Sequence, residues 1–328
     1  MKGYTRTSAL GPISDFVEAR GGSIERMFSR ADLPLSLLDN PDLPLPLSEQ
    51  FSILREGGRE LGDAFFGASL GQLVSMEKLS AFGAWVSGAP TLASAIDRSR
   101  RGLNRFMQTA TLLELRVKGN SAIWSIEFLD PGRTGRFQNE LLGVSYLIDG
   151  IRYFAGPRWR PDLIHCTCQG AEQARQLEHI FNAPVKPDAR VCAVAFDMAL
   201  LAATGPKHTH PTFEEEPPIP PSRRVQEDVA ALSAIALLER QPKIDWVAGK
   251  LDMSRRTLQR ALEAEGCSFS DVLEGLLQDR AITLLRATNL GLTDIALQLG
   301  YSDGAHFSRA FRRWMGIAPS QYRAQTHT

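Results

Sequence analysis

The chain has 328 residues, more than one hydrophobic core usually supports, so two domains are expected. Apolar residues make up 43% and charged residues 23%, an ordinary globular balance that argues against long disorder. Lys plus Arg equals Asp plus Glu at 37 each, which excludes a generally basic nucleic-acid-binding chain, so any DNA contact must come from local clustering.

No apolar run approaches the roughly 20 residues of a membrane span, and the N-terminus carries no charged segment followed by an apolar stretch and a cleavage site. A cytoplasmic chain without a membrane partner is expected. Four cysteines, Cys166, Cys168, Cys192 and Cys267, are too few for a disulfide framework and are expected as free thiols.

In chain order, the segments 47–62, 79–88 and 91–107 are amphipathic. Leu113 to Val117, Gly119-Asn120 and Ile123 to Phe128 then read as a β-hairpin, because alternation around a Gly/Asn turn is the hairpin pattern. A helical stretch follows from about 136 to 154. Two apolar runs, Leu163 to Cys168 and Val191 to Phe196, flank a helix-like segment at 172–181 and suggest a βαβ unit. Next, Thr204 to Ser222 is dense in proline, carries an acidic triplet and has no period, as expected of an interdomain linker holding the halves apart. It contains His208 and His210, expected to be solvated. The expected organisation is an α+β domain at 1–203, a linker at 204–222 and an all-α domain at 223–328.

The C-terminal part is helical and repeats. Val247, Ala248 and Leu251 give one apolar face, Asp252-Met253-Ser254 a short turn, and Ser254 an N-cap. Leu258 and Leu262 bury the next helix, whose other side carries Arg255, Arg256, Gln259 and Arg260, residue types that donate to bases or phosphates. The second unit repeats this with Ile295, Ala296 and Leu299, the turn Gly300-Tyr301-Ser302, and a helix from about Asp303. Its apolar face holds Phe307, Phe311 and Trp314, and its polar face holds Ala305, Ser308, Arg309 and Arg312. Phe269 to Thr288, apolar at helical spacing through Val272, Leu276, Leu277, Ala281, Leu284 and Leu285, predicts one helix bridging two helix-turn-helix units. The excess of positive over negative residues from 223 onward is only two, so the basic character is confined to particular faces and dimerisation would help binding.

These residues resemble the AraC/XylS family of transcription regulators. The resemblance rests on Gly300-Tyr301-Ser302, the run Phe307-Ser308-Arg309-Ala310-Phe311-Arg312-Arg313-Trp314, and Gly316, Pro319, Tyr322 and Arg323. It extends to the first unit through Leu251, Ser254, Arg255, Leu258, Arg260, Leu262 and Gly266, with one departure, Leu277, where relatives often carry arginine. It implies base contacts from Arg256, Gln259 and Arg260 and from Ala305, Ser308 and Arg309, with Arg313 also among the DNA-binding residues. It further implies a double-stranded operator, RNA polymerase as partner if the chain activates, and an N-terminal half that binds a small effector and forms a homodimer. That half is similar to the arabinose-binding-type group that includes ornithine-utilisation regulators, through Trp159-Arg160-Pro161, His165, Phe181 and Pro184-Val185.

Candidate effector contacts are Trp85, Trp124, Tyr146, Arg152, Trp159 and His165, since pockets combine aromatic walls with few polar anchors; each also suits plain packing. Arg152 would suit a carboxylate. A zinc or redox role for Cys166 and Cys168 with His165 and Cys192 competes with buried cysteines acting as small hydrophobes; the expectation is no metal and no cofactor. Two alternatives stand beside an effector-responsive activator. One is a ligand-independent dimer controlled by a protein partner. The other is an enzyme domain tethered to a DNA-binding module, for which no nucleophile, phosphate-loop or paired-histidine motif is present.

Overall fold

The computed structural model describes residues 2–132, 134–206, 218–219, 224–239 and 241–326. The chain divides into two compact units, Met1–Ser222 and Arg223–Thr328. Most of the proline-rich stretch, with His208 and His210, lies outside the described residues. Within it Ile219 is buried, its N–H donating to the Arg105 carbonyl at 2.8 Å. The stretch is therefore not wholly the free spacer expected, because its one large aliphatic side chain here finds cover on the first unit.

In the first unit, strand β1 (Tyr4–Arg6), helices α1 (Ile13–Glu18) and α2 (Ile24–Arg30), and strand β2 (Pro44–Pro46) come first, with β1 and β2 paired antiparallel. Arg6 is buried, donating from Nε to the Phe106 carbonyl at 2.6 Å and from Nη1 to the Asp42 carbonyl at 2.9 Å. Helices α3 (Leu47–Leu61), α4 (Phe66–Gly71), α5 (Ala81–Ser87) and α6 (Leu92–Gly102) follow, and α6 runs directly into a π-helical turn, Leu103–Met107. Ser80 and Thr91 start α5 and α6 by accepting backbone N–H groups that the first turn leaves unpaired.

The hairpin forms as β3 (Thr111–Lys118) and β4 (Ser121–Phe128), eight residues each, with Gly119 at φ 59° supplying the left-handed turn residue. Ala122, Trp124, Ile126 and Phe128 alternate into the core, as period two requires. Helix α7 (Arg136–Ala155) packs on β4 and on α3 and α4. At Gly67 and Gly71 a Cβ would stand 1.8 Å from the Gln138 carbonyl oxygen and 1.9 Å from Ser145 Oγ, so only glycine lets α4 lie this close to α7.

Strand β5 (Leu163–His165), helix α8 (Gly170–Phe181), strand β6 (Val185–Lys186) and strand β7 (Cys192–Asp197) complete a sheet in the order β3-β4-β7-β5-β6. Here the βαβ expectation needs correction. The strands expected to be parallel, β5 and β7, pair antiparallel, and the parallel partner of β5 is the two-residue β6. After β6 the chain reverses at Asp188, φ 55°, with Asp188 N–H on the Cys168 carbonyl at 2.8 Å and Ala189 N–H on the Cys166 carbonyl at 3.0 Å. That reversal sends β7 back between β5 and β4.

The second unit consists of α9 (Val225–Ala236), α10 (Ile244–Lys250), α11 (Arg255–Ala264), α12 (Phe269–Ala287), α13 (Leu292–Gln298), α14 (Gly304–Met315) and α15 (Pro319–Thr326). Two separate cores hold it. One gathers Val229, Leu232, Val247, Ala248, Leu251, Leu258 and Leu262, with Phe269 and Val272 of α12 against it. The other gathers Ala281 and Leu285 of α12 with Ile295, Ala296, Leu299, Phe307, Phe311 and Tyr322. Each half of α12 thus serves a different core. Among the described residues no helix is long and apolar enough to cross a membrane.

Candidate nucleic-acid interface

Ser254 caps α11 by accepting the Thr257 N–H at 3.1 Å, and Asp303 caps α14 by accepting the His306 N–H at 2.7 Å. In both helices the inner side chains, Leu258 and Leu262 or Phe307 and Phe311, are fully buried. Helical spacing then forces the positions between them outward. Each preceding turn contains one left-handed residue after the last apolar side chain, Asp252 at φ 55° and Gly300 at φ 80°.

On α11, Arg255, Arg256, Gln259 and Arg260 are exposed. Arg255 reaches Asp245 at 3.4 Å, whereas Arg256, Gln259 and Arg260 make no hydrogen bond or ion pair among the described residues. On α14, Ala305, Arg309, Arg312 and Arg313 are exposed and Ser308 is half-buried. Arg309 and Arg312 are likewise unpaired among the described residues. Ser308 turns its hydroxyl back to the Gly304 carbonyl at 2.7 Å. Arg313 differs from the expectation: its guanidinium pairs with Glu274 of α12, which also receives the Trp314 indole N–H. These donors hold the Glu274 carboxyl below its ordinary range, Arg313 having the larger effect. The residue therefore fastens α14 to α12, and the competing carboxylate is its physical reason. His306, exposed on the first turn of α14 with Nδ1 2.7 Å from the Ser302 hydroxyl, was not singled out by the spacing.

Three further bonds link the helix-turn-helix units: Gln241 Nε2 donates to the Leu299 and Gly300 carbonyls at 3.4 and 3.2 Å, and Arg280 Nη1 donates to the Leu237 carbonyl at 3.4 Å. The 19 residues of α12 span about 28 Å at 1.5 Å per residue, against roughly 34 Å between successive major-groove turns on one face of DNA. Leu277 packs against the second core, so its side chain is spent on packing.

The first unit contains a partly open cavity of about 70 Å³, and of the six candidate effector contacts Trp124 and Tyr146 line it. Trp85, Arg152, Trp159 and His165 do not. The cavity faces the middle of α7, from Asn139 to Leu147, while Arg152 sits in its last turn with Nε on the Trp159 carbonyl at 3.2 Å. Burial and the nearby Arg160 lower its pKa, against the influence of Asp149. Trp159 packs edge-on to Phe196, and Trp85 stacks under Arg98. His165 pairs across the ladder with Ala193. Cys166, Cys168 and Cys192 are buried and unbridged, the Cys166 thiol pushed up by its contact with Cys192 and by burial. Among the described residues no group of three or more His, Cys, Asp or Glu is arranged to hold a metal.

Two helix-turn-helix units on a shared helix, each turning donor side chains to solvent, define a DNA-binding unit of transcription regulators. Residues 21–204 match the family described as the arabinose-binding domain of AraC transcription regulator, N-term, and residues 247–325 match a helix-turn-helix domain. The chain belongs to the AraC family of transcription regulators, which are not enzymes. It is 25% identical over 327 residues to the HTH-type transcriptional regulator VirS of Mycobacterium tuberculosis, covering 97% of this chain and 96% of that one. It is also 25% identical over 332 residues to the ornithine utilization regulator of Pseudomonas aeruginosa, covering 97% of each. The crystal structure of transcriptional regulator CdpR from Pseudomonas aeruginosa aligns over 94% of this chain and 98% of that one, with a TM-score of 0.40 and 21% identity.

Proposed function

We propose that this regulator reads two adjacent major-groove segments per monomer through α11 and α14, as a homodimer whose DNA binding responds to a small effector in the first unit and which activates through RNA polymerase. The observation that carries the reading is that Arg256, Gln259, Arg260, Arg309 and Arg312 are left without partners in the described residues while Leu258, Leu262, Phe307 and Phe311 of the same helices are buried. Long polar side chains held free on two rigid helices are arranged for an outside partner with acceptor groups. Arg255 and Arg313 belong to the same surface, with Ala305 and Ser308 allowing close approach of the α14 backbone.

A band-shift series with the full chain tests this. Arg256→Ala, Arg260→Ala and Arg309→Ala should each weaken binding to the operator by about 1–3 kcal/mol and relax the preference at one base pair. A loss equal on every sequence would assign the residue to phosphate, and no loss from any of the three would remove the surface from DNA.

A further inference from the structure

The first unit also has larger clefts of about 390 to 580 Å³ whose linings include charged residues such as Arg136, Glu140 and Lys78, whereas every residue that lines the 70 Å³ cavity is uncharged. Its walls are aliphatic and aromatic side chains from β4, α5, α7 and the π-helical turn, interrupted by a few neutral polar residues, among them Gln50 and Trp124. Trp124 is 2% exposed and Gln50 2% exposed, and the Trp124 indole N–H and the Gln50 Oε1 have no hydrogen-bond partner among the described residues. Gln50 is held in place from its other end, Nε2 donating to Asn139 Oδ1 at 2.6 Å. The third polar wall residue of note, Tyr146, has its hydroxyl already committed to the Ala9 carbonyl at 3.3 Å.

A buried donor and a buried acceptor left unmatched are expensive for a folded domain to keep, and such orphans in a native structure call for an occupant that completes them, ordered water in the free state or a ligand that displaces it. The cavity's edge adds a second feature: Leu103 and Met107 belong to the π-helical turn, a form uncommon elsewhere and frequent at functional sites. Arg6 stabilises that turn from behind through the Phe106 carbonyl. With no cation among the lining residues, a carboxylate or phosphate entering here would lose its hydration without a counter-charge.

We infer that this cavity is the effector site and takes a small, neutral, largely apolar molecule carrying one hydrogen-bond acceptor for Trp124 Nε1 and one donor for Gln50 Oε1, such as an alcohol. The inference rests on the effector-responsive reading above. An apolar cavity of about 150 Å³ admits benzene. By that scale about 70 Å³ takes a group of about three heavy atoms as it stands, and the unbranched side chains of Met76 and Met107 can swing to lengthen it.

The test uses the full chain labelled with nitrogen-15, titrated with the normal alcohols from propanol to hexanol and with the carboxylates of matching length at neutral pH. The Trp124 indole signal, assigned by its absence in Trp124→Phe, should move saturably with the alcohols and stay still with the carboxylates, a preference of about a hundredfold or more. Calorimetry should then show Trp124→Phe binding the best alcohol about five- to tenfold more weakly, measured well below the melting point of the variant, which falls because the smaller ring leaves core volume unfilled. An indole signal that ignores the alcohols, or carboxylates that bind as well, overturns the inference. Operator binding by α11 and α14, measured alongside, separates the two readings. Intact DNA binding with a silent cavity sinks the ligand class alone, whereas a responsive cavity with no DNA binding sinks the regulator surface.

Discussion

Gly275 stands where α12 passes from one core to the other: Phe269 and Val272 before it pack in the first, Leu277 and Ala281 after it in the second. A glycine in the middle of a 19-residue helix is costly, because the unfolded chain gains backbone freedom that folding must remove. A Cβ added at Gly275 meets nothing within 4 Å, and the position is exposed. Gly275→Ala therefore adds helix propensity with neither a clash nor a burial gain, and the expected stabilisation is about 1 kcal/mol. For a unit of roughly 100 residues this raises the midpoint of thermal unfolding by about 4 °C or somewhat more. Hydrogen exchange on the full chain assigns the gain: amides of α12 should slow together on both sides of residue 275. If α12 works as a stiff rod, operator affinity stays within about twofold or improves. Destabilisation by Gly275→Ala would refute the local geometry. Stabilisation coupled to a large loss of operator affinity would refute the rod, since it would mean that the helix must bend there to place both reading helices.

The two turns should respond to substitution with opposite signs. Gly300→Ala forces a side chain into the left-handed region at φ 80° and against Gln241 Nε2 at 1.8 Å, costing about 2 kcal/mol, while Asp252→Gly at φ 55° should gain up to about 0.5 kcal/mol, both read by urea unfolding. Glu60 accepts from Arg26 at 2.5 Å, Ser23 N–H at 3.0 Å and Arg30 at 2.9 Å, with the Arg26 bond the largest influence, and its pKa is lowered from 4.5 to about 2. A depressed carboxyl stabilises above its unfolded value and loses that stabilisation as pH falls through 4.5 toward 2, so Glu60→Gln should be less stable at pH 7 by about 1–2 kcal/mol and converge with the parent in acid, as followed by thermal melts across pH. Glu274→Ala should cost about 1–2 kcal/mol by stranding the half-buried Trp314 N–H, and an unchanged melt would show that the contact holds nothing.

The helices of the second unit were legible because their information is local: apolar residues at helical spacing, a cap at Ser254, and an aromatic stripe at Phe307, Phe311 and Trp314. What failed was information carried across the chain. The β5 run looked like one half of a parallel pair with β7, but the parallel partner is the two-residue β6, too short to leave a periodic trace. Arg152 has the chemistry of a carboxylate anchor but does not line the 70 Å³ cavity, and which stretch of a 20-residue helix does so cannot be read from spacing alone.

Arg313 makes the same point inside the proposed DNA-binding face. The family resemblance places it among the DNA-binding residues, and only a carboxylate 39 positions earlier on α12 engages it. The consequence reaches function, because a face counted from sequence overstates its free charge. With so small a positive excess in the unit, each diverted guanidinium matters, and affinity must rest on a few well-held donors rather than on a basic field. Such a surface gains discrimination from its own poverty of charge. On the proposed reading, non-specific attraction to phosphate would be weak, and a larger share of the binding energy would come from contacts that depend on the base sequence.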